Sequence, residues 1–475
     1  MPGHHVRDDL ARVCRVLAHH RMIDLWGHLS LRVPKSDVVL VTPKFTRACV
    51  PRTITGADML VCNMDGEIVD GPGELPLQFA TDLALYRETG AGRNACIYAS
   101  PHATMAAGIA RRRLLPLTHM ESPVGHGLAT WESDELATDT GAAIALAALI
   151  ERAIAVQQPG IGVWTAGADI YDALMNVYHL EYLAQANVVS AGESSMQTLK
   201  QADWEKLWRQ FSGHAHYVEF FDALDPGARA HPYDAFLAHH APGREPHEAL
   251  KAQIAFSCRA LWERDTLVAF LEHISHRLPE ENRFLMTAAK IYRDMGPGDL
   301  CLLDYDANWI DGPKPPGFKW FHAQLLKERR DAQAVCHTHD LYGRVYALSE
   351  RVPKPSYRVG LDIATRRLPL YGRCDLIVDA DVRRATLDAL GSGPVVHEVG
   401  HGTDFVAPTL EQSVVDAIQR EAFLAMDHLA QRFGGARALP DTLVAAVRAA
   451  EAPAEDWWWF YAAEVGAPRR SAAGL

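Results

Sequence analysis

The 475-residue sequence predicts a duplicated α/β domain. Three observations carry this reading. Short apolar, β-prone runs bounded by turn residues alternate with stretches whose apolar residues recur at helical spacing. The order of these segments in the first half returns in the second, as a two-copy repeat requires. The chain is also too long for one ordinary core, and 48% hydrophobic with 22% charged residues is a globular composition.

Taken in order, Val6 to His20 sets Leu10, Val13, Val16 and Leu17 on one face and predicts an amphipathic helix. Gly27 to Pro34 and Val38 to Pro43 read as two strands joined by a polar turn. Leu60-Val61-Cys62 and Glu67-Ile68-Val69 flank Met64-Asp65-Gly66, a hairpin signal. A loop opens at Gly71-Pro72-Gly73, Glu74 stands near its end, and Phe79 to Glu88 predicts a helix. Ala95 to Ala99 is an apolar strand ending in Ser100-Pro101-His102, and Gly141–Arg152 and Asp172–Gln185 are further helices.

The second copy replays this at Glu272 to Pro279, Arg283 to Thr287, Asp299 to Asp304, Ile310 to Pro313, Val382 to Leu390 and Val414 to His428. The expected boundaries are a first copy over 1–211, a connector over 212–245 rich in Gly, Pro and His, and a second copy over 246–475. The aromatic run Trp457 to Tyr461 takes the place of Trp204 to Trp208 and is expected to pack as a helix; a tail covering a neighbouring site is the alternative.

A net charge of −12 argues against an extended nucleic-acid footprint, and Arg111-Arg112-Arg113 reads as a solvated face or an anion contact. No run of 18 apolar residues and no signal-peptide pattern occurs, so no membrane partner and a cytoplasmic location are expected. The eight cysteines are scattered without a C-x-x-C spacing and read as reduced core residues.

The second copy carries a ligand pattern. Ala334 to Asp340 is an apolar run ending in His337-Thr338-His339, and on a strand side chains two apart leave the same face, so both imidazoles can reach one ion. His401, followed by Gly402 after the run from Val395, supplies a third. Three neutral imidazoles leave a divalent ion its full charge and an open coordination position; Fe(II), Zn or Mn would accept such a site. Aligned by sequence, the first copy has Tyr98 and Ser100 in place of His337 and His339, and Pro159 before Gly160 in place of His401. His102 is two residues out of place. Function is therefore expected in the second copy.

These motifs together resemble the class II aldolase/adducin superfamily: the His28 and His273 motifs, Thr42-Pro43, Asp65-Gly66, His337-Thr338-His339, and His401-Gly402 with Leu410-Glu411. The resemblance covers both copies and implies two tandem αβα sandwiches, each with a central, largely antiparallel sheet. It also implies one divalent metal on three histidines and a homo-oligomer, in which two tandem chains would imitate a fourfold ring. The sugar-phosphate aldolases place a catalytic Glu four residues before a His. Here Glu74 to Gln78 keeps the acid without the histidine, and Phe318 to His322 keeps the histidine without the acid, which disfavours the sugar-phosphate aldolase or epimerase reaction. The second copy instead looks like the branch containing adducin-like proteins and aminocoumarin oxygenase-decarboxylases, associated with non-haem iron and dioxygen.

Beside His337, His339 and His401, the expected site residues are His322 as a fourth ligand or a partner of the ligands, Lys319 as a proton carrier, Tyr342 as a donor to substrate oxygen, and Glu74 reaching a site across a domain contact. The expected activity is metal-dependent C–C cleavage, by a lyase, decarboxylase or oxygenase, of a small hydroxy- or oxo-carboxylate, with a non-catalytic adducin-like scaffold as the alternative.

Overall fold

The computed structural model describes residues 4–34, 36–88, 92–115, 117, 128–191, 225, 227, 247–264, 266, 272–278, 282–349, 351–372, 377, 379–398 and 401–465. The expected connector and Trp204 to Trp208 lie outside them, apart from residues 225 and 227. The chain divides into two compact units, one drawn from residues 1–229, 354–358 and 426–452, the other from 230–353, 359–425 and 453–475. Two short pieces of the second half thus belong with the first unit.

Each unit is built on an eight-stranded sheet. In the first, β1 (His28–Arg32), β2 (Val38–Val41), β3 (Leu60–Asn63), β4 (Ile68–Asp70), β5 (Ala95–Ala99), β6 (Leu128–Thr130), β7 (Ala155–Gln158) and β8 (Gly162–Gly167) lie in the order β4-β3-β2-β1-β5-β8-β7-β6. In the second, β9 (His273–Leu278), β10 (Arg283–Thr287), β11 (Leu300–Asp304), β12 (Trp309–Asp311), β13 (Ala334–Thr338), β14 (Leu370–Tyr371), β15 (Val395–Glu398) and β16 (Gly402–Ala407) take the same order, β12-β11-β10-β9-β13-β16-β15-β14. Every pairing is antiparallel except β6 with β7 and β14 with β15. The duplicated, largely antiparallel α/β fold is therefore as the sequence indicates.

The helices of the first unit include α1 (His4–His19), α2 (Phe79–Glu88), α3 (His102–Ile109), α4 (Thr140–Arg152) and α5 (Ile170–Val189). Asp139 and Asp169 cap α4 and α5, each accepting two backbone N–H groups of the first turn. The second half adds α6 (Glu248–Glu263), α7 (Lys319–Glu328), α8 (Leu341–Leu348), α9 (Leu361–Thr365), α10 (Ala380–Leu390), α11 (Leu410–Arg432), α12 (Asp441–Ala450) and α13 (Ala454–Val465). Phe284, Val335, Val396 and Val406 of the second sheet pack with Phe321, Leu325 and Leu326 of α7 in one buried core. The aromatic run forms α13, with Trp457, Trp458, Trp459, Phe460 and Tyr461 all buried. It packs on α6, where Trp458 Nε1 donates to Ser257 Oγ at 2.8 Å and Arg264 pairs with Glu464.

Strand register corrects one part of the sequence alignment. Gln158 lies opposite Gly162 as Glu398 lies opposite Gly402, so the first-unit residue at the place of His401 is Ile161, not Pro159. Helix register corrects another: α2 and α7 are both ten residues long, so His322 matches Asp82 and Gln78 matches Phe318, while the loop before α7 is one residue shorter than the loop that carries Glu74. The loop that holds the acid in one copy holds a lysine in the other.

Candidate metal centre

The ends of β13 and β16 bring His337, His339 and His401 together, with one ring nitrogen of each within 4.8 Å of the others. Alternation along β13 sends His337 to the same face as Val335, and His339 continues that face past the strand end. The rings of His339 and His401 are each 5.1 Å, centroid to centroid, from a neighbour in the group, and His337 Nε2 lies 3.4 Å from His339 Nε2. Gly402 makes room for this approach: a Cβ there would stand 2.8 Å from His337 Nε2 and 2.5 Å from the Thr338 carbonyl oxygen.

What orients the three rings was not visible in the motif. Each Nδ1 faces a buried carboxylate: His337 bonds Asp404 at 2.9 Å, His339 faces Glu272 at 3.4 Å, and His401 bonds Glu398. Asp404 is the register partner of His337 on β16, which fixes that pair by sheet geometry. With the Nδ1 protons given to carboxylates, each neutral ring presents a bare Nε2 lone pair. This carboxylate-histidine arrangement is the one that orients metal-bound imidazoles. Three buried carboxylates beside neutral rings also concentrate negative charge away from water, which a dication would offset. On both counts the residues present fit a divalent ion.

Burial holds His401 and His273 neutral. It pulls His401 down from 6.5 to about 3, with the His337 ring adding to the effect, and drives His273 well below its ordinary value. Burial alone would raise Asp404, but His337, through its charge and its hydrogen bond, together with Glu398 and His322, outweighs it and leaves the carboxyl below its usual range.

The remaining expected residues are placed differently. His322 has both nitrogens engaged: Nε2 meets His273 Nδ1 at 2.6 Å and Nδ1 meets Ser275 Oγ at 2.6 Å, so it supports a neighbour and has no nitrogen left for an ion. His273, which the sequence offered only as part of a motif, stacks on His337 at 4.5 Å and on Phe318 at 4.9 Å. Lys319 sets its ammonium over the Trp320 ring, 5.2 Å from the centroid, and its charge is felt by the Cys301 thiol. Tyr342 lies in the first turn of α8, its backbone N–H donating to Glu421 at 2.9 Å. Glu74 belongs to the first unit, where it is 80% exposed and pairs with Lys44. Arg344 of α8, absent from the sequence reading, carries a positive charge near His401.

In the first unit the same positions are filled. Tyr98, register partner of His28 as His337 is of His273, stacks on Trp164 at 4.4 Å and donates to the Ile161 carbonyl at 3.0 Å. A Cβ on Gly162 would run into the Tyr98 ring. Ser100 donates to Asp24, and Arg358 reaches both Asp24 oxygens at 2.7 and 2.6 Å. His28 and Ser30 meet Asp82 as His273 and Ser275 meet His322.

The sequence profile of the class II aldolase and adducin N-terminal domain matches residues 8–188 and 252–427. A 3,4-dihydroxyphthalate decarboxylase of Arthrobacter keyseri is 29% identical over 214 residues, 41% of this chain and 85% of the relative. A 5-methylthioribulose-1-phosphate/5-deoxyribulose-1-phosphate aldolase of Rhodospirillum rubrum is 30% identical over 134 residues, 27% of this chain and 58% of the relative. Among solved structures, an L-fuculose 1-phosphate aldolase aligns with 45% of this chain and 99% of its own at 19% identity and a TM-score of 0.40. Among the described residues no helix is long and apolar enough to cross a membrane.

Proposed function

Because the chain belongs to the class II aldolase and adducin N-terminal domain family, we propose that its second unit is a metal-dependent lyase that removes CO2 from an aromatic acid bearing neighbouring hydroxyls. The observation that carries this is Phe318: its ring lies 4.9 Å from His273 and 6.2 Å from His401, an aromatic wall beside the imidazole cluster suited to a flat substrate. The decarboxylase relatives act on such a molecule by name. Against aldol cleavage of a sugar phosphate stands the loop before α7, residues 312–318, which carries Lys314 and no acidic residue where the first copy's loop carries Glu74.

His337, His339 and His401 would hold the ion through Nε2, and Zn, Mn and Fe(II) all suit that donor set. When bound, a divalent metal supplies a Lewis acid that polarises substrate oxygens. Arg344 attracts the substrate carboxylates. In the reaction the bond from ring carbon to carboxyl breaks, its electron pair stays with the ring, CO2 leaves, and a proton takes the vacated position. Nothing is oxidised, so dioxygen is not consumed. His273 would hold that proton in one of the two directions this hydrogen-bond chain allows: where Ser275 Oγ–H donates to His322 Nδ1 and His322 Nε2–H to His273 Nδ1, the His273 proton sits on Nε2, which has no partner among the described residues.

The test is anaerobic incubation of the purified, metal-assayed protein with 3,4-dihydroxyphthalate, followed by CO2 release and a dihydroxybenzoate product. Turnover that needs metal but no dioxygen is expected. Oxygen uptake coupled to product would replace the reading with an oxygenase, and cleavage of a ketose phosphate instead would replace it with an aldolase.

A further inference from the structure

The second unit contains a small cavity of about 40 Å³ that takes no part in the site above. Its walls come from α8, the loop after it, α9, β14, β15 and α11, and they include Arg351, Arg366, Arg367, Arg420 and His397. Sheet register puts it on the other face from the imidazole cluster. His397 lies opposite Thr403, and Thr403 opposite Thr338, whereas the neighbouring residues Asp404 and His337 lie opposite each other and point to the α7 side.

Two buried groups of this cavity's wall each keep one nitrogen without a partner among the described residues. His397 is fully buried, and its Nε2 has no hydrogen-bond partner among the described residues. Arg420 is 5% exposed; it gives Nη1 to Asp340 at 3.0 Å, but its Nε is likewise unpartnered. Nearer the mouth, Arg366 and Arg367 are exposed, Arg366 lying near Asp416, and Arg351 sits over the Tyr346 ring. Arg367 forms no ion pair among the described residues. The cavity thus offers guanidinium donors with the carboxylates of Asp340 and Asp416 offsetting two of them.

The hydrogen bonds behind His397 fix what its free nitrogen can do. Thr403 Oγ1 donates its single proton to Asp340 Oδ1 at 2.8 Å, so toward His397 Nδ1, 2.6 Å away, it can only accept. Nδ1 therefore carries the proton. Burial, a larger effect than any of the nearby charges, keeps the ring neutral down to about 4. Nε2 then presents a lone pair, which asks for a donor, in a pocket whose arginines ask for an anion.

We propose that this pocket binds a small oxyanion that carries its own hydroxyl, the anionic oxygens meeting Arg366, Arg367 and Arg420 and the hydroxyl donating to His397 Nε2. Hydrogenphosphate and a short hydroxycarboxylate share this chemistry. The size agrees: about 40 Å³ holds two or three waters or one such ion.

Matched ions test it by titration calorimetry on the full-length protein at pH 8 and constant ionic strength. Hydrogenphosphate is compared with sulfate, and glycolate with acetate, each pair differing in the hydroxyl at similar charge. We expect saturable binding of at least one hydroxylated ion, about two- to tenfold tighter than its partner, the range one hydrogen bond supplies. Binding should survive treatment with a chelator and be lost in the Arg366→Gln/Arg367→Gln double variant, whose exposed positions do not threaten folding. Phosphate and glycolate arms tell which source the site prefers. Equal affinity within both pairs, no saturation below tens of millimolar, or binding that survives the double variant but disappears with the metal would each overturn the proposal.

Discussion

At the residue scale, the chemistry of this chain turns on which nitrogen of each imidazole is spoken for. Asp404 takes Nδ1 of His337 at 2.9 Å and Glu398 takes that of His401, leaving Nε2 to converge. Asp404→Asn keeps the shape but no longer fixes the tautomer, since an amide can donate as well as accept. It should weaken metal binding by about 10- to 100-fold, measured by competition with a chromophoric chelator. An unchanged affinity would mean that the carboxylate does not orient a ligand. His322→Leu separates a ligand from a supporting residue, because the structure ties His322 to His273 and Ser275 rather than to the cluster. Metal content should stay at the wild-type level while CO2 release falls at least about 100-fold, the lower end of what a positioned proton donor contributes; loss of metal would restore His322 to the ligand set.

At the scale of elements, the strand ends were legible and their surroundings were not. His337-x-His339 declares itself because a strand has period two, and Gly402 after His401 marks a close approach. Glu272 and Asp404, each 67 residues from the histidine it faces, become neighbours only once β9, β13 and β16 are in register. The same holds for Ile161: sequence similarity prefers the Gly after Pro159, but the pairing of Gln158 with Gly162 decides otherwise. Gly402→Ala and Gly162→Ala make this testable, since each puts a methyl group against the residue at the ligand position, His337 in one unit and Tyr98 in the other. The first should deplete bound metal, read by elemental analysis, and the second should leave metal content intact; the opposite pattern would move the centre to the first unit. The aromatic helix α13 is a packing element. Trp458→Ala removes a buried ring and its hydrogen bond to Ser257, so it should cost about 3–5 kcal/mol in denaturant unfolding with metal content unchanged. Loss of turnover at full stability would instead support a tail that covers a neighbouring site.

At the scale of the whole molecule, duplication leaves one unit free to keep a polar, charge-dense interior and the other to fill the same positions with Tyr98 and Trp164. The polar interior has a consequence in acid. His322 and His401 are held at about 3 and His397 at about 4, against an ordinary 6.5, with burial the first cause of each shift. Because these folded values are depressed, the folded chain binds fewer protons than the unfolded one once the pH drops below 6.5. Stability is therefore fully present above 6.5 and is lost as the pH falls toward 4, at about 1.4 kcal/mol per pH unit for each histidine. Three such rings give the metal-free protein a slope of about 4 kcal/mol per unit between pH 6 and 5, enough to erase an ordinary stability within two units. Urea unfolding of the chelator-treated chain at pH 7, 6 and 5 reads that slope, and His322→Gln should reduce it by one proton. A stability that stays flat from pH 7 to 5 would mean that these rings are charged or solvated in the folded chain. In that case His401 would not bring a buried neutral ring to the metal centre.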